Sequence, residues 1–219
     1  MEEEKNVPKP SLLGMLTNPT EQFIRIKQQP IILMPMLIII VLTIIGTWLS
    51  ASNVVIPELQ DVEIDQEMAA LIDAFTKIGA TIGGVIMPLL TTLISTVIYF
   101  LVAKIAQSSV SFKQLFSMNT FILLITAIGL IVNGFIYMLI DGTADVSPTS
   151  LGYILNQNNV IYNSIELFSI WNLILSAIGL HKVANFSKGL AWGTVIAIFL
   201  VGILFLLAGD AVTDMVPSN

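Results

Sequence analysis

The stretch IILMPMLIIIVLTIIGTWLS, residues 31–50, carries no charged side chain over twenty positions. At 1.5 Å per residue it spans about 30 Å as a helix, which is the thickness of a bilayer's hydrocarbon core. The rest of the chain has the same character. Mean hydropathy is +0.88, and 55% of residues are hydrophobic against 11% charged. A soluble domain carries about 25% charged residues. A chain with so few could not cover its core with polar surface, so its natural solvent is lipid.

Four more stretches are long and apolar enough to cross: 82–103, 120–140, 161–180 and 190–209. An unpaired backbone amide in lipid costs several kcal/mol, so each crossing must be helical. The expected fold is an all-α, polytopic membrane helical bundle with five transmembrane helices. Pro35 and Pro88 fall inside spans, where neighbouring helices can support a kink. The expected division is a cytoplasmic segment 1–30, a five-span membrane domain 31–209 and an external tail 210–219.

Direction follows from the basic residues. Lys5, Lys9, Arg25 and Lys27 precede the first span. Lys104 and Lys113 lie in the second connection, and Lys182 and Lys188 in the fourth. Of nine Lys and Arg, only Lys77 falls on the other side. That side holds Glu58, Asp61, Glu63, Asp65, Glu67, Asp73, Asp141, Asp145, Asp210 and Asp214. The positive-inside rule then places the N-terminus in the cytoplasm and the C-terminus outside. The stretch GLHKVANFSKGLAW, residues 179–192, becomes a cytoplasmic turn anchored by His181, Lys182 and Lys188. Its lysines can also reach anionic lipid headgroups.

The segments between spans carry their own signals. In TNPTEQFIRIKQQP, residues 17–30, Asn18 suits an N-cap, Pro19 the first helical position, and Glu21 completes a capping box. A short interfacial helix is expected there, with Phe23, Ile24 and Ile26 in the headgroup region and Arg25 and Lys27 on phosphates. Leu12, Leu13, Met15 and Leu16 suggest a further turn lying on the membrane. A docking surface for a cytoplasmic partner is the alternative to a plain lead-in.

In the long connection 51–81, Ile64, Met68, Leu71, Ile72, Phe75 and Ile78 follow helical spacing while acids take the other positions. An acidic amphipathic helix over 61–78 is expected, packed on the outer face or in the interface and bending into the second span at GATIGG, residues 79–84. It could cap the bundle or meet an extracellular partner or cationic peptide. The third connection, residues 141–160, has turn chemistry at Asp141-Gly142 and Ser147-Pro148, with a short helix expected around Leu151, Ile154 and Leu155.

Glu166 is the acid placed within an apolar span, about five residues from its outer end. Intramembrane ionisable groups point to function by default, so a transport or proton-linked role is one reading. Asn133 and Asn172, with Asn119, are suited to hydrogen bonds between helices. Gly79-x-x-x-Gly83 and Gly189-x-x-x-Gly193 are spacings that allow close helix approach.

Enzymatic readings find little support. Cysteine is absent and His181 is the single histidine, which removes thiolate nucleophiles, cysteine–histidine zinc sites and the HExxH motif. No Gly-x-Ser-x-Gly elbow and no pair of deep acids is present. No cofactor and no metal is expected. A net charge of −6 and a pI near 4.6 argue against nucleic acid as a partner. The acidic start MEEEKNVPKP does not read as a cleavable signal peptide, and no lipidation motif is expected.

Two stretches, SLLGMLTNPTEQFIRIKQQPIILMPMLIII at 11–40 and LHKVANFSKGLAWGTVI at 180–196, together with the five-span layout, resemble the Ypt/Rab-interacting-protein (YIP domain) membrane family in its bacterial branch. The likeness extends from about Leu12 to Leu207. It implies a five-helix integral membrane protein with a cytoplasmic N-terminus. Eukaryotic members bind lipid-modified small GTPases; their long cytoplasmic N-terminal region is not seen in this sequence. Some bacterial members accompany ABC exporters in envelope defence against toxic peptides. The resemblance therefore implies a non-enzymatic accessory or scaffold protein of a bacterial plasma membrane, whose partners are membrane lipids and an ABC transporter complex. The alternative is a small solute or ion transporter using Glu166. The resemblance carries no catalytic residues.

Overall fold

The computed structural model describes residues 8–51, 65–140 and 146–215, with only the backbone described over 210–215. Among these residues there are nine helices, and the only β-type pairing is one isolated bridge. Two short helices, α1 (Leu12–Thr17) and α2 (Pro19–Gln28), precede α3 (Leu33–Ala51). The long α4 (Gln66–Ile105) and α5 (Phe112–Ile140) follow. Two more short helices, α6 (Leu151–Ile154) and α7 (Val160–Ser164), lead into α8 (Leu167–Val183) and α9 (Lys188–Met215).

Four helices are long and apolar enough to cross a membrane: α3, α4, α5 and, within α9, Lys188–Gly209. The fifth apolar helix, α8, has 17 residues. α5 is the central helix and packs against α3, α4 and α8, while α4 also packs on α3 and α9 on α8. Burial along α5 is nearly continuous from Leu115 to Ile125.

Small residues let the axes approach. A Cβ on Gly46 of α3 would lie 2.7 Å from Leu130 Cβ, and one on Gly134 of α5 would lie 2.7 Å from Leu49 Cβ. Gly84 of α4 sits equally close to Ile44, and Gly129 of α5 to Phe168. The expected Gly79/Gly83 and Gly189/Gly193 pairs serve no such contact: nothing lies within 4 Å of where their Cβ atoms would be.

The capping signal at Asn18 forms as expected, its side chain accepting from Glu21 N at 3.3 Å. The placement of α2 corrects the expected headgroup contact of Phe23 and Ile26. Phe23 and Ile26 are completely buried, packed with Met15 of α1 and against α8 and α5. Only Ile24 of the expected trio is exposed. Gln22 locks the pair by accepting from Ser11 N at 2.8 Å. The two short helices thus close one end of the bundle, here termed the basic end because Arg25, Lys27, Lys104, Lys113, Lys182 and Lys188 all lie there.

At the opposite end, the amphipathic segment and the second span form one helix of 40 residues. Asp65 caps it by accepting from Met68 N at 2.7 Å, and the helix runs unbroken through residues 79–84. Met68, Leu71, Phe75, Ile78 and Ile82 are all exposed, so this stretch does not pack on the bundle. Residues 61–64 of the expected helix, Glu58, and the Asp141-Gly142 turn lie outside the described residues. Pro35 falls in the first turn of α3, where a missing N–H leaves no bond unmade. Pro88 lies inside α4.

Candidate functional site

The polar residues singled out in the sequence fall into three separate places along the bundle. At the end opposite the basic one, the apolar run 161–180 is broken at Ile165–Glu166. α7 ends at Ser164 and α8 begins at Leu167. Glu166 is therefore the N-cap of α8 and not a residue within it. One carboxylate oxygen accepts from Ser169 N at 2.7 Å and the other from Thr149 Oγ1 at 2.5 Å. A helix N-terminus presents unpaired N–H groups and a positive dipole end, which suits a carboxylate.

Thr149 binds this cap to α5. Its N–H donates to Asn133 Oδ1 at 3.1 Å, and its hydroxyl lies 2.8 Å from the same oxygen. A hydroxyl has one proton, so Glu166 and Asn133 compete for it; a carboxylate is the stronger acceptor. Asn133 then keeps the backbone N–H. Antiparallel pairing of Ser150 with Glu166, through Leu151 N to Ile165 O (2.8 Å) and Leu167 N to Thr149 O (3.2 Å), completes the knot. Glu166 and Asn133 are both buried. The knot fixes where the third connection rejoins the bundle. Its chemistry is that of a structural cap, since each carboxylate oxygen already accepts a hydrogen bond, one from Ser169 N and one from Thr149 Oγ1.

Asn172 lies elsewhere, along the line of contact of α8 with α5. It donates to Thr126 Oγ1 at 2.9 Å, midway along α5. About two turns nearer the basic end, Asn119 donates to Thr96 Oγ1 at 2.9 Å, and Thr96 in turn donates to Thr92 O at 2.6 Å. Bonds of this kind between spans contribute about 0.6 kcal/mol each.

The third place is the turn after α8. Asn185 adopts φ 58°, a left-handed conformation that Asn tolerates better than most side chains, and ends the helix there. His181 and Lys182 occupy the last turn of α8, where positive charge suits the dipole. His181 Nδ1 lies 2.7 Å from Phe186 O, and Lys188 opens α9. Neighbours tie the turn down: Lys27 donates to Asn185 Oδ1 at 2.6 Å, and Ser108 to Ala184 O at 2.6 Å. Beside it, a recess of about 390 Å³ is lined by Thr20, His181, Lys182, Lys188 and Trp192.

The structure thus brings Glu166 to Asn133, through a threonine that sequence reasoning passed over, and sets Asn172 and the basic turn apart from them. The signal for Thr149 was faint, as a lone threonine after proline. The signal for Glu166 as a cap lay in its position three residues before Ser169 and just after the polar pair Asn163-Ser164. Among the described residues, no group of three or more His, Cys, Asp or Glu is placed to hold a metal ion.

The fold and these polar ties define an integral α-helical membrane protein. A family model described as the Yip1 domain matches residues 13–209. The chain is also similar to the membrane protein YknW of Bacillus subtilis (strain 168), with 34% identity over 214 residues, covering 94% of this chain and 93% of that protein. The chain belongs to the Yip1 domain family, as the resemblance at residues 11–40 and 180–196 implied. No solved structure matches it.

Proposed function

We propose that the protein is a non-enzymatic accessory or scaffold protein of a bacterial plasma membrane. It crosses five times, with its N-terminus in the cytoplasm and its C-terminus outside, and it binds an ABC exporter complex that removes toxic peptides. The fifth crossing is α8. Its 17 residues reach about 25 Å, near the lower limit for a span, with the Glu166 knot at one end and the basic turn at the other.

The open face of α9 carries the proposal. Among the described residues α9 packs on α8 and on the short α7, and Gly189 and Gly193, on one face of it, meet nothing within 4 Å. In a bilayer, lipid tails are as apolar as leucine, and helices associate by close packing at small residues. Gly189 and Gly193, one turn apart on the same face, leave a notch shaped for another helix. The transport reading is not adopted, because the Glu166 carboxylate is committed to the cap of α8.

The test is affinity purification from native membranes in mild detergent. Exporter subunits are expected to co-purify, and Gly189→Ile with Gly193→Ile should reduce their recovery without lowering the thermal midpoint of the isolated protein. Recovery of the bare protein alone would refute the proposal.

A further inference from the structure

Within the bundle, α4, α5 and α8 enclose a cavity of about 190 Å³. Its polar lining comes from Thr91, Thr92, Ser95 and Tyr99 of α4, Asn119 and Thr126 of α5, and Asn172 and Ser176 of α8; Ile122 and Leu123 supply an apolar wall. A hydroxyl- and amide-lined space at the level of the apolar spans is costly unless its groups are satisfied.

Two of them are not. Thr92 is 1% exposed and its Oγ1 has no hydrogen-bond partner; Asn172 Oδ1 is likewise buried and unpartnered, although its Nδ2 is used by Thr126. The amide oxygen can only accept, whereas the threonine hydroxyl can donate or accept. A ligand satisfying both must therefore donate one hydrogen bond and either accept or donate the other. No charged side chain lines the space, so an ionic headgroup would find no counter-charge there. Thr91 and Thr126, at the rim, are exposed. That rim opens along the flanks of α4 and α5, midway along their apolar lengths, so the occupant enters from the hydrocarbon layer.

We infer that this cavity binds the free hydroxyl of an uncharged membrane amphiphile, with Asn172 Oδ1 accepting from it and Thr92 Oγ1 donating to it. Diacylglycerols and long-chain isoprenols share this chemistry. The cavity volume equals that of about six waters, enough for a glycerol-sized head with its acyl chains left outside.

Native mass spectrometry of the full-length protein tests this with three added probes: dioleoylglycerol, farnesol and the anionic dioleoylphosphatidylglycerol. Retention of one equivalent of either alcohol, against little of the anionic lipid, is expected, and the stronger of the two names the source. Thr92→Val with Asn172→Leu should reduce retention by about tenfold, and Thr92→Val alone, which keeps shape, by about threefold. If the double variant fails to fold, the single one decides. The chain has no cysteine, so Thr126→Cys carrying a benzophenone reports on the occupant in membranes, where a lipid adduct is expected. No adduct of either alcohol, equal retention of the anionic lipid, undiminished binding in the variants, or a crosslink to a protein helix would each overturn the assignment.

Discussion

Replacing Gly46 by alanine adds one methyl group at the seam between α3 and α5. The added carbon would sit 2.7 Å from Leu130 Cβ and 3.1 Å from both Leu130 C and Ile131 N. Ordinary carbon contacts lie at about 3.5–4.0 Å, so the helices must part by about 1 Å. The obstacle is largely backbone, which no rotamer change removes. Overpacking of this kind costs about 1–3 kcal/mol. Alanine's better helix propensity returns up to about 1 kcal/mol at any helical glycine. The informative comparison is therefore with Gly193→Ala in α9, where nothing lies within 4 Å and only the propensity gain remains.

The two variants should differ by about 2 kcal/mol, which for a chain of this size is roughly 4–8 °C in thermal midpoint. Gly134→Ala, which presses on the same seam from α5, should behave like Gly46→Ala. The double variant should lose less than the sum, because helices already parted accommodate the second methyl. The assay is thermal unfolding in detergent, followed by size-exclusion fluorescence. Equal midpoints for Gly46→Ala and Gly193→Ala would refute the packing described for this seam.

Glu166→Ala should destabilise by about 1–2 kcal/mol through loss of the α8 cap, and Glu166→Gln by less, since an acceptor survives; denaturant titration in mixed micelles measures both. A Glu166→Gln protein that folds normally but loses a solute flux seen in wild-type vesicles would reverse the structural reading of this residue. Asn119→Leu removes the tie to Thr96 and should cost about 0.6 kcal/mol, read from the same titrations. Single cysteines placed at Ser109 and Asn219 should label from opposite sides of sealed vesicles, with Ser109 reached only from the cytoplasmic face. Labelling of both from one side would contradict the proposed orientation.

Helix positions were legible in the sequence because lipid imposes a length and a composition that no other environment does. Asn18 was legible because a cap is a local device: the acceptor and the N–H it serves are three residues apart. Glu166 was misplaced because hydropathy averages over a window and cannot register a backbone break between two apolar pieces. Phe23 and Ile26 read as headgroup contacts in sequence because an amphipathic helix looks the same whether its apolar face meets lipid or protein. Glycine spacing identified pairs able to allow close approach but not which face of each helix turns inward. Gly46, Gly84 and Gly134 were chosen by the fold, in company with partners more than thirty residues away. The cavity of Thr92 and Asn172 is the least local feature, being assembled from three helices.

The unbroken course of α4 has a mechanical consequence. From Gln66 to Gly84, where it bears on Ile44, the helix reaches about 27 Å. Close to that bearing, Thr47 donates to Ala80 O at 3.0 Å and Trp48 to Thr81 Oγ1 at 2.9 Å. The free arm is thus a stiff lever with its fulcrum at α3. A swing of about 10° would carry its tip roughly 5 Å, while beyond Gly84 the same helix is held by its buried face of Pro88, Thr92, Thr96, Tyr99 and Ala103. Force applied at the far end of the arm is delivered to the centre of the molecule without any intervening loop to absorb it.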